Sequence, residues 1–387
     1  MPFESIDMFN VNELFDDSEI LIRDTVRELM ERKYAPVIAK HFQDGTIPPD
    51  IASDLGSLNI FGVNLDGYGC AGISDTVYGL ISQELERVDS AIRSFSSVQT
   101  SLCMYPIHRW GSEDQKTKYL PRMASGELIG CFGLTEPDHG SDPGSMITSA
   151  KKTDSGYVIN GSKMWITNGT IADVALVWAK LDGVVRGFLV EKGTKGFSAP
   201  EIKNKFSLRA SVTSELSFDN CEIPSDNMLP GADGLKAPLS CLTQARYGIA
   251  WGAIGAAMAC FDEALKYAKE RIQFGKPIAQ FQLQQEKLAE MAIEITKMQL
   301  MCWRLGRLKD QGKASHVQVS MAKRNNVEKA LKIARTSREI LGAAGIVDEY
   351  CSMRHAMNLE SVYTYEGTHD IHTLIIGHEL TGLPAYR

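Results

Sequence analysis

The sequence predicts an α+β protein in three consecutive parts: helical over residues 1–126, antiparallel β over 127–238 and a helical bundle over 239–387. Three observations carry that prediction. Apolar residues recur at helical spacing near the N-terminus; the period then shortens among β-branched residues and glycines; two long helical runs without proline follow. A helix buries residues three and four apart and a strand every second one, so a change of period marks a change of structure.

In the first part, Ile20, Leu21, Val26, Leu29 and Met30 follow the acidic run Asp16-Asp17-Ser18, whose oxygens suit the free amides of a helix start. Val77, Leu80, Ile81, Leu85 and Val88 repeat the pattern. In the second part, two Asn-Gly steps at 160–161 and 168–169 predict hairpin turns, with VALVWAK (174–180), RGFLVEK (186–192) and ELSFDNCEIP (215–224) as strands. In the third, the runs 281–309 and 317–341 predict long antiparallel helices. The charge-free stretch from Tyr247 to Phe261 falls short of the ~20 residues of a membrane span. Its Gly248, Gly252 and Gly255 predict a helix packed closely on its neighbours.

A chain of 387 residues with 48 acidic and 41 basic side chains has a net charge of −7, which gives no electrostatic reason to expect nucleic acid or an anionic membrane as partner. The N-terminal stretch shows neither the apolar core of a signal peptide nor an Arg-rich transit peptide, so the expected location is the cytoplasm. Eight cysteines, at 70, 103, 131, 221, 241, 260, 302 and 351, have no CxxC spacing and suit buried free thiols in a reducing compartment.

Three motif matches fail on physical grounds. Gly67-Tyr68-Gly69-Cys70-Ala71-Gly72 is a literal GxGxxG, but helical segments flank it where dinucleotide binding needs a strand, then a helix. Gly161-Ser162-Lys163 reverses the Gly-Lys-Ser order of a phosphate loop. Glu366-x-x-His369-x-x-His372 has carboxylate–imidazole spacing, but a di-iron bundle needs that pair twice plus two further glutamates. At helical spacing the three side chains also fan over about 120°, so no metal is expected.

A fourth constellation survives. Cys131 to Ser141 reads CFGLTEPDHGS, followed by Lys163-Met164-Trp165-Ile166-Thr167-Asn168, Arg271-Ile272-Gln273-Phe274-Gly275 and Tyr365-Glu366-Gly367-Thr368. In that order these resemble the signatures of the acyl-CoA dehydrogenase family, whose helical–β–helical architecture matches the three parts. The resemblance runs nearly end to end and is strongest to the glutaryl-CoA dehydrogenases, at LTQARYGIAWG (242–252), KFSLRAS (205–211), GRLKDQ (306–311) and RHAMNLESVYTYEGTHDIH (354–372).

The resemblance implies FAD as cofactor, an acyl-CoA substrate, electron-transfer flavoprotein as electron acceptor and a homotetramer. It places Glu366 at the catalytic base. Some relatives carry the base just before the arginine of Gln244-Ala245-Arg246, where this chain has alanine. A carboxylate in a dry pocket suits the task, because desolvation raises its basicity. The resemblance lines the flavin with Phe132, Gly133, Leu134, Thr135, Gly140, Ser141, Trp165, Ile166 and Thr167, with Trp165 packing on the ring. Arg271, Phe274 and Gln282 would reach the FAD of a neighbouring subunit, and Glu339, Leu341, Gly342, Ala343 and Thr368 would add contacts. One departure is visible: the family often reads Gly-Gly-Asn-Gly where this chain has Gly342-Ala343-Ala344-Gly345.

Glutaryl-CoA ends in a carboxylate that cannot be buried without a cation. The resemblance gives that role to Arg93, held by Glu86 and Tyr365, with Ser97 one helical turn on. Ser94, Ser141, Leu242, Arg246 and Gly367 complete the acyl-CoA site. Glu86, Arg93 and Tyr365 together match the enzymes that oxidise and decarboxylate glutaryl-CoA to crotonyl-CoA; relatives that stop at glutaconyl-CoA replace the tyrosine. A dehydrogenase of another short acyl-CoA, and a non-catalytic acyl-CoA-binding relative, are the alternatives.

Overall fold

The structure, a computed structural model, describes residues 7–385. The first six residues of the stretch read for a targeting signal lie outside it.

Seven helices come first: α1 (Asp17–Leu29), α2 (Ile38–Asp44), α3 (Ile51–Ser57), α4 (Asp75–Val88), α5 (Ser90–Ser97), α6 (Tyr105–Trp110) and α7 (Glu113–Ala124). The predicted start of α1 is a reciprocal cap: Asp16 accepts from the amides of Ser18 and Glu19, and Glu19 accepts from the amide of Asp16. Asp89 caps α5 by accepting from the Ala91 amide at 2.9 Å. After Ser97 the chain runs on as a wide-turn stretch, Val98–Met104, the kind of register change that often sits beside functional sites. Gly67, Gly69 and Gly72 lie in the irregular loop between α3 and α4, all at positive φ.

The sheet contains β1 (Gly130–Gly133), β2 (Ser149–Lys152), β3 (Gly156–Thr167), β4 (Val174–Leu181), β5 (Val184–Glu191), β6 (Phe197–Ser198) and β7 (Thr213–Pro224), ordered β1-β4-β2-β3-β7-β6 with β5 on β4. It corrects the expected antiparallel domain: β1 and β2 both pair with β4 in parallel, so the sheet is mixed. It also corrects the hairpins: Asn168-Gly169 does lie in a turn after β3, but the β4 that follows does not pair with β3. Asn160-Gly161 lies inside β3, where the register against β7 slips. A Cβ on Gly161 would sit 2.5 Å from the Thr148 hydroxyl, so this glycine permits a close approach and makes no turn. The tight hairpin is Asp182-Gly183, both at positive φ, between β4 and β5.

The rest is helical apart from a small hairpin: α8 (Lys236–Glu270), then β8 (Ile272–Gln273) and β9 (Lys276–Pro277), then α9 (Gln282–Asp310), α10 (His316–Ile340), α11 (Ser352–Thr364) and α12 (His369–Thr381). The apolar stretch at 247–261 is only part of α8. By length and composition α8 would suit a membrane span, yet 83% of its most apolar window is buried inside the protein. It crosses α4 at small residues, as expected: a Cβ on Gly255 would lie 1.9 Å from the Gln83 carbonyl oxygen, and one on Gly252 would lie 2.0 Å from Glu86 Oε2. Trp178, fully buried, joins sheet to helices by packing edge-on against Phe132 and Trp110.

Candidate active site

The α4–α8 crossing sets the first half of the site. Glu86, on α4, and Arg93, on α5, are fully buried and form an ion pair at 2.6 Å. The Ser90 hydroxyl donates to the other Glu86 oxygen at 2.8 Å. The guanidinium also donates to the Tyr365 hydroxyl, which brings in the α11–α12 loop. Burial disfavours the charge on Arg93, but Glu86 holds it firmly protonated. Arg93 Nη1 and the Ser97 hydroxyl remain buried with no hydrogen-bond partner among the described residues. A buried donor left open in a satisfied network is costly unless a ligand completes it.

That loop supplies the second half. Glu366 adopts φ 54°, a left-handed conformation uncommon for a residue with a side chain. Its carbonyl accepts from Arg246 Nε of α8 at 2.6 Å. Gly367 follows at φ 97°, where a Cβ would lie 2.9 Å from Arg246 Nη2. Thr368 then caps α12 through its hydroxyl to the Ile371 amide. Glu366 Oε2 is buried without a hydrogen-bond partner among the described residues. Burial pushes this carboxyl above its ordinary range, although Arg93, Lys323 and Arg246 pull the other way. Proton abstraction needs such a carboxyl, one not already neutralised by a close ion pair.

Of the residues expected to hold substrate, Glu86, Arg93, Arg246, Tyr365 and Gly367 are therefore joined to Glu366 by contacts. Ser94 is buried on α5 and Leu242 half-buried one turn before Arg246, while Ser141 is exposed. Two buried cations had no role assigned from the sequence, Lys163 standing there only within motifs and Lys323 not at all. Lys323, on α10, donates to the carbonyls of Tyr365 at 3.0 Å and Gly367 at 2.9 Å. Lys163 donates to Leu134 O at 3.1 Å and to Glu136 at 2.8 Å. Lys323 lies on the buried side of α10 with Val319, Ala322, Val327 and Ala330.

The expected flavin residues divide by position. Phe132, Gly133 and Leu134 are buried on and just after β1, Thr135 is half-buried, and Gly140 is exposed. The Lys163–Glu136 pair braces this segment against β3, and Glu136 also accepts from the amides of Ile147 and Thr148. Here burial alone would raise the Glu136 carboxyl, but Lys163 wins and holds it down at about 2. On β3, Trp165 stands 60% exposed at φ 63°, next to buried Ile166 and half-buried Thr167. Arg271, Phe274 and Gln282 lie just before, within and just after the β8–β9 hairpin, with Phe274 93% exposed at φ 52°. The hairpin packs on α8 through β9. Glu339, Gly342 and Ala343 are exposed, Glu339 pairing with Lys287, and Leu341 is buried.

His369 stacks on Tyr363 and His372 is fully buried. A second Glu-x-x-His, Glu136 with His139, stands in the loop after β1, off the bundle helices. Among the described residues no three His, Cys, Asp or Glu side chains are placed to hold a metal. Burial pushes His372 down to about 2 and His355 to about 3. Both stay neutral when folded, whereas the unfolded chain takes up their protons below about pH 6.5. Stability therefore falls as pH drops below that value, by about 4 kcal/mol for the pair at pH 5. Urea unfolding at pH 7.5 and pH 5.0 checks this: His355→Leu/His372→Leu should narrow the gap between the midpoints, and an unchanged gap assigns the acid sensitivity to other groups.

Comparison with known proteins bears on the fold and the family. The family models for the acyl-CoA dehydrogenase N-terminal, middle and C-terminal domains match residues 16–127, 131–221 and 232–381. An acyl-CoA dehydrogenase of Bacillus subtilis is 36% identical over 94% of this chain and 98% of its own. The crystal structure of a glutaryl-CoA dehydrogenase from Mycobacterium smegmatis superposes with a TM-score of 0.97 at 54% identity, covering 98% of this chain and 99% of that one. A glutaryl-CoA dehydrogenase of the same organism in complex with FADH2 gives 0.97 at 50% identity, covering 100% and 99%. The chain belongs to the acyl-CoA dehydrogenase family.

Proposed function

We propose that this chain is a glutaryl-CoA dehydrogenase that oxidises and decarboxylates its substrate to crotonyl-CoA and CO₂. The observation that carries the reading is the buried Glu86–Arg93–Tyr365 network, which leaves one guanidinium nitrogen open beside the buried carboxyl of Glu366. An unsubstituted acyl chain gives no reason to bury a cation there, whereas a terminal carboxylate completes it.

FAD is the cofactor. The residues fit it: Trp165 offers an exposed aromatic face in a strained conformation, beside Thr167 and the braced segment after β1. When bound, FAD accepts the substrate's β-hydrogen as hydride. The chain's own groups do the rest. Glu366 takes the α-proton, and Arg93 anchors the far carboxylate and so fixes which carbons face the base. Once the new double bond is conjugated with the thioester, the γ-carboxylate leaves as CO₂ and its electron pair is held by the extended enolate. Glu366 returns its proton to the γ-carbon, which gives crotonyl-CoA.

Exposed Phe274 and Leu283, with Arg271 and Gln282 alongside, form an apolar and basic projection that suits a neighbouring subunit's FAD in a homotetramer. Electron-transfer flavoprotein is the proposed oxidant of the reduced enzyme. The eight free thiols, six of them buried, suit the reducing cytoplasm.

The test is to incubate the FAD-loaded protein with glutaryl-CoA and an artificial electron acceptor and to identify the acyl-CoA product and any CO₂. Crotonyl-CoA with an equivalent of CO₂ is expected. Glutaconyl-CoA alone removes the decarboxylation step, and a colourless protein that cannot take up FAD supports a non-catalytic relative.

A further inference from the structure

Three successive carbonyls around the proposed base are held by buried cations: those of Tyr365 and Gly367 by Lys323, and that of Glu366 by Arg246. Lys323 is 1% exposed on α10, more than forty residues before the loop it grips, and its hydrogen bonds to Tyr365 O and Gly367 O both end there. An ammonium has three donors and a strong desolvation cost, so two bonds to the carbonyls on either side of one residue are a specific use of a buried lysine. Between those carbonyls the chain takes the left-handed turn at Glu366, a conformation that persists only where its surroundings over-determine it.

We infer that Lys323 is a positioning residue for Glu366: by tying the carbonyls on either side of it, the lysine holds the left-handed turn that aims the carboxylate at the acyl group. The inference rests on the reading of Glu366 as the base. The charged and titratable groups around that carboxyl are Arg93 of α5, Glu86 and Tyr78 of α4, Arg246 of α8, Lys323 of α10, Tyr365 of the loop and His372 of α12. Burial lowers the Lys323 amine to about 7, against the pull of Glu366. Below neutrality the clamp is charged; above it, a neutral amine still has hydrogens for both carbonyls. Lys323 thus acts on Glu366 in two ways, by geometry at every pH and by charge on the acid side.

The test compares Lys323→Met, which removes donors and charge, with Lys323→Gln, which keeps a donor without charge. Hydrogen–deuterium exchange of the FAD-loaded proteins reads the clamp without turnover. The Met variant should exchange about tenfold faster over residues 361–368, with the sheet and α8 unchanged. At saturating acyl-CoA its flavin bleaching should slow by about tenfold or more while KM stays within about threefold. The acid limb of its pH profile should move up by about half a unit or more, because a positive charge near the carboxyl is gone. The Gln variant should retain most of the exchange protection and show the same shift of the acid limb. Unchanged exchange and an unmoved acid limb in the Met variant overturn the inference, as does exchange that rises equally across all helices. If the wild-type flavin bleaches with no acyl-CoA, the functional reading fails while exchange in the same variants still decides the clamp.

Discussion

Glu366→Gln should give a folded, yellow protein whose flavin no longer bleaches with acyl-CoA. The amide has nearly the same shape and leaves the carbonyl bonds to Arg246 and Lys323 in place, because these involve backbone oxygens of residues 365–367. Only the basic oxygen is lost. Loss of a positioned general base typically costs about 10²- to 10⁴-fold, so bleaching should slow by at least that factor. The pH profile supplies a second check. The Glu366 carboxyl lies above its ordinary range, so wild-type activity should rise with pH as it ionises, and the residual activity of the amide variant should lack that limb. A variant that bleaches at the wild-type rate would assign proton abstraction to another group.

Arg93→Met should separate substrates. With glutaryl-CoA the terminal carboxylate loses its only proposed cationic partner, and truncating one side of a buried charge pair costs about 2–5 kcal/mol, or roughly 30- to 5,000-fold in kcat/KM. Butyryl-CoA has no such carboxylate and should lose little by comparison. The substitution has a structural side effect, because Glu86 would be left buried and unpaired at the α4–α8 crossing. The double variant Glu86→Gln/Arg93→Met removes that stranded charge and should recover fold stability and butyryl-CoA turnover without recovering glutaryl-CoA turnover. Equal losses on both substrates in the double variant would sink the carboxylate clamp.

The large periodic elements were legible in the sequence because their own side chains specify them. The α1 start was carried by Asp16, and the long helices α9 and α10 by proline-free runs with an apolar stripe. The close crossing of α8 was announced by Gly252 and Gly255. The sheet was less legible, because strand direction depends on partners far away in sequence. Nothing local in 130–133 says that it will lie parallel to 174–177. The Asn160-Gly161 step has hairpin chemistry, but Thr148 needs the space a side chain would fill, and that tertiary contact overrides it.

Within the site, motif resemblance singled out Glu366, Arg93, Glu86 and Tyr365, and the fold joins them through residues 272 positions apart, from Arg93 to Tyr365. Lys323 was illegible by the same route: a single lysine in Ser320-Met321-Ala322-Lys323 reads as a solvated helix residue until α12 and the preceding loop cover it. Trp165 and Phe274 illustrate the reverse. Both stand exposed with a left-handed backbone, features that suit the proposed contacts with the flavin and with a second subunit.

The most direct measurement is anaerobic absorbance of the purified FAD-loaded protein titrated in parallel with glutaryl-CoA and butyryl-CoA. A buried guanidinium beside a buried base predicts complete bleaching by glutaryl-CoA at a concentration about a hundredfold or more below that needed for butyryl-CoA. Equal or better bleaching by butyryl-CoA, or none by glutaryl-CoA, would contradict the account.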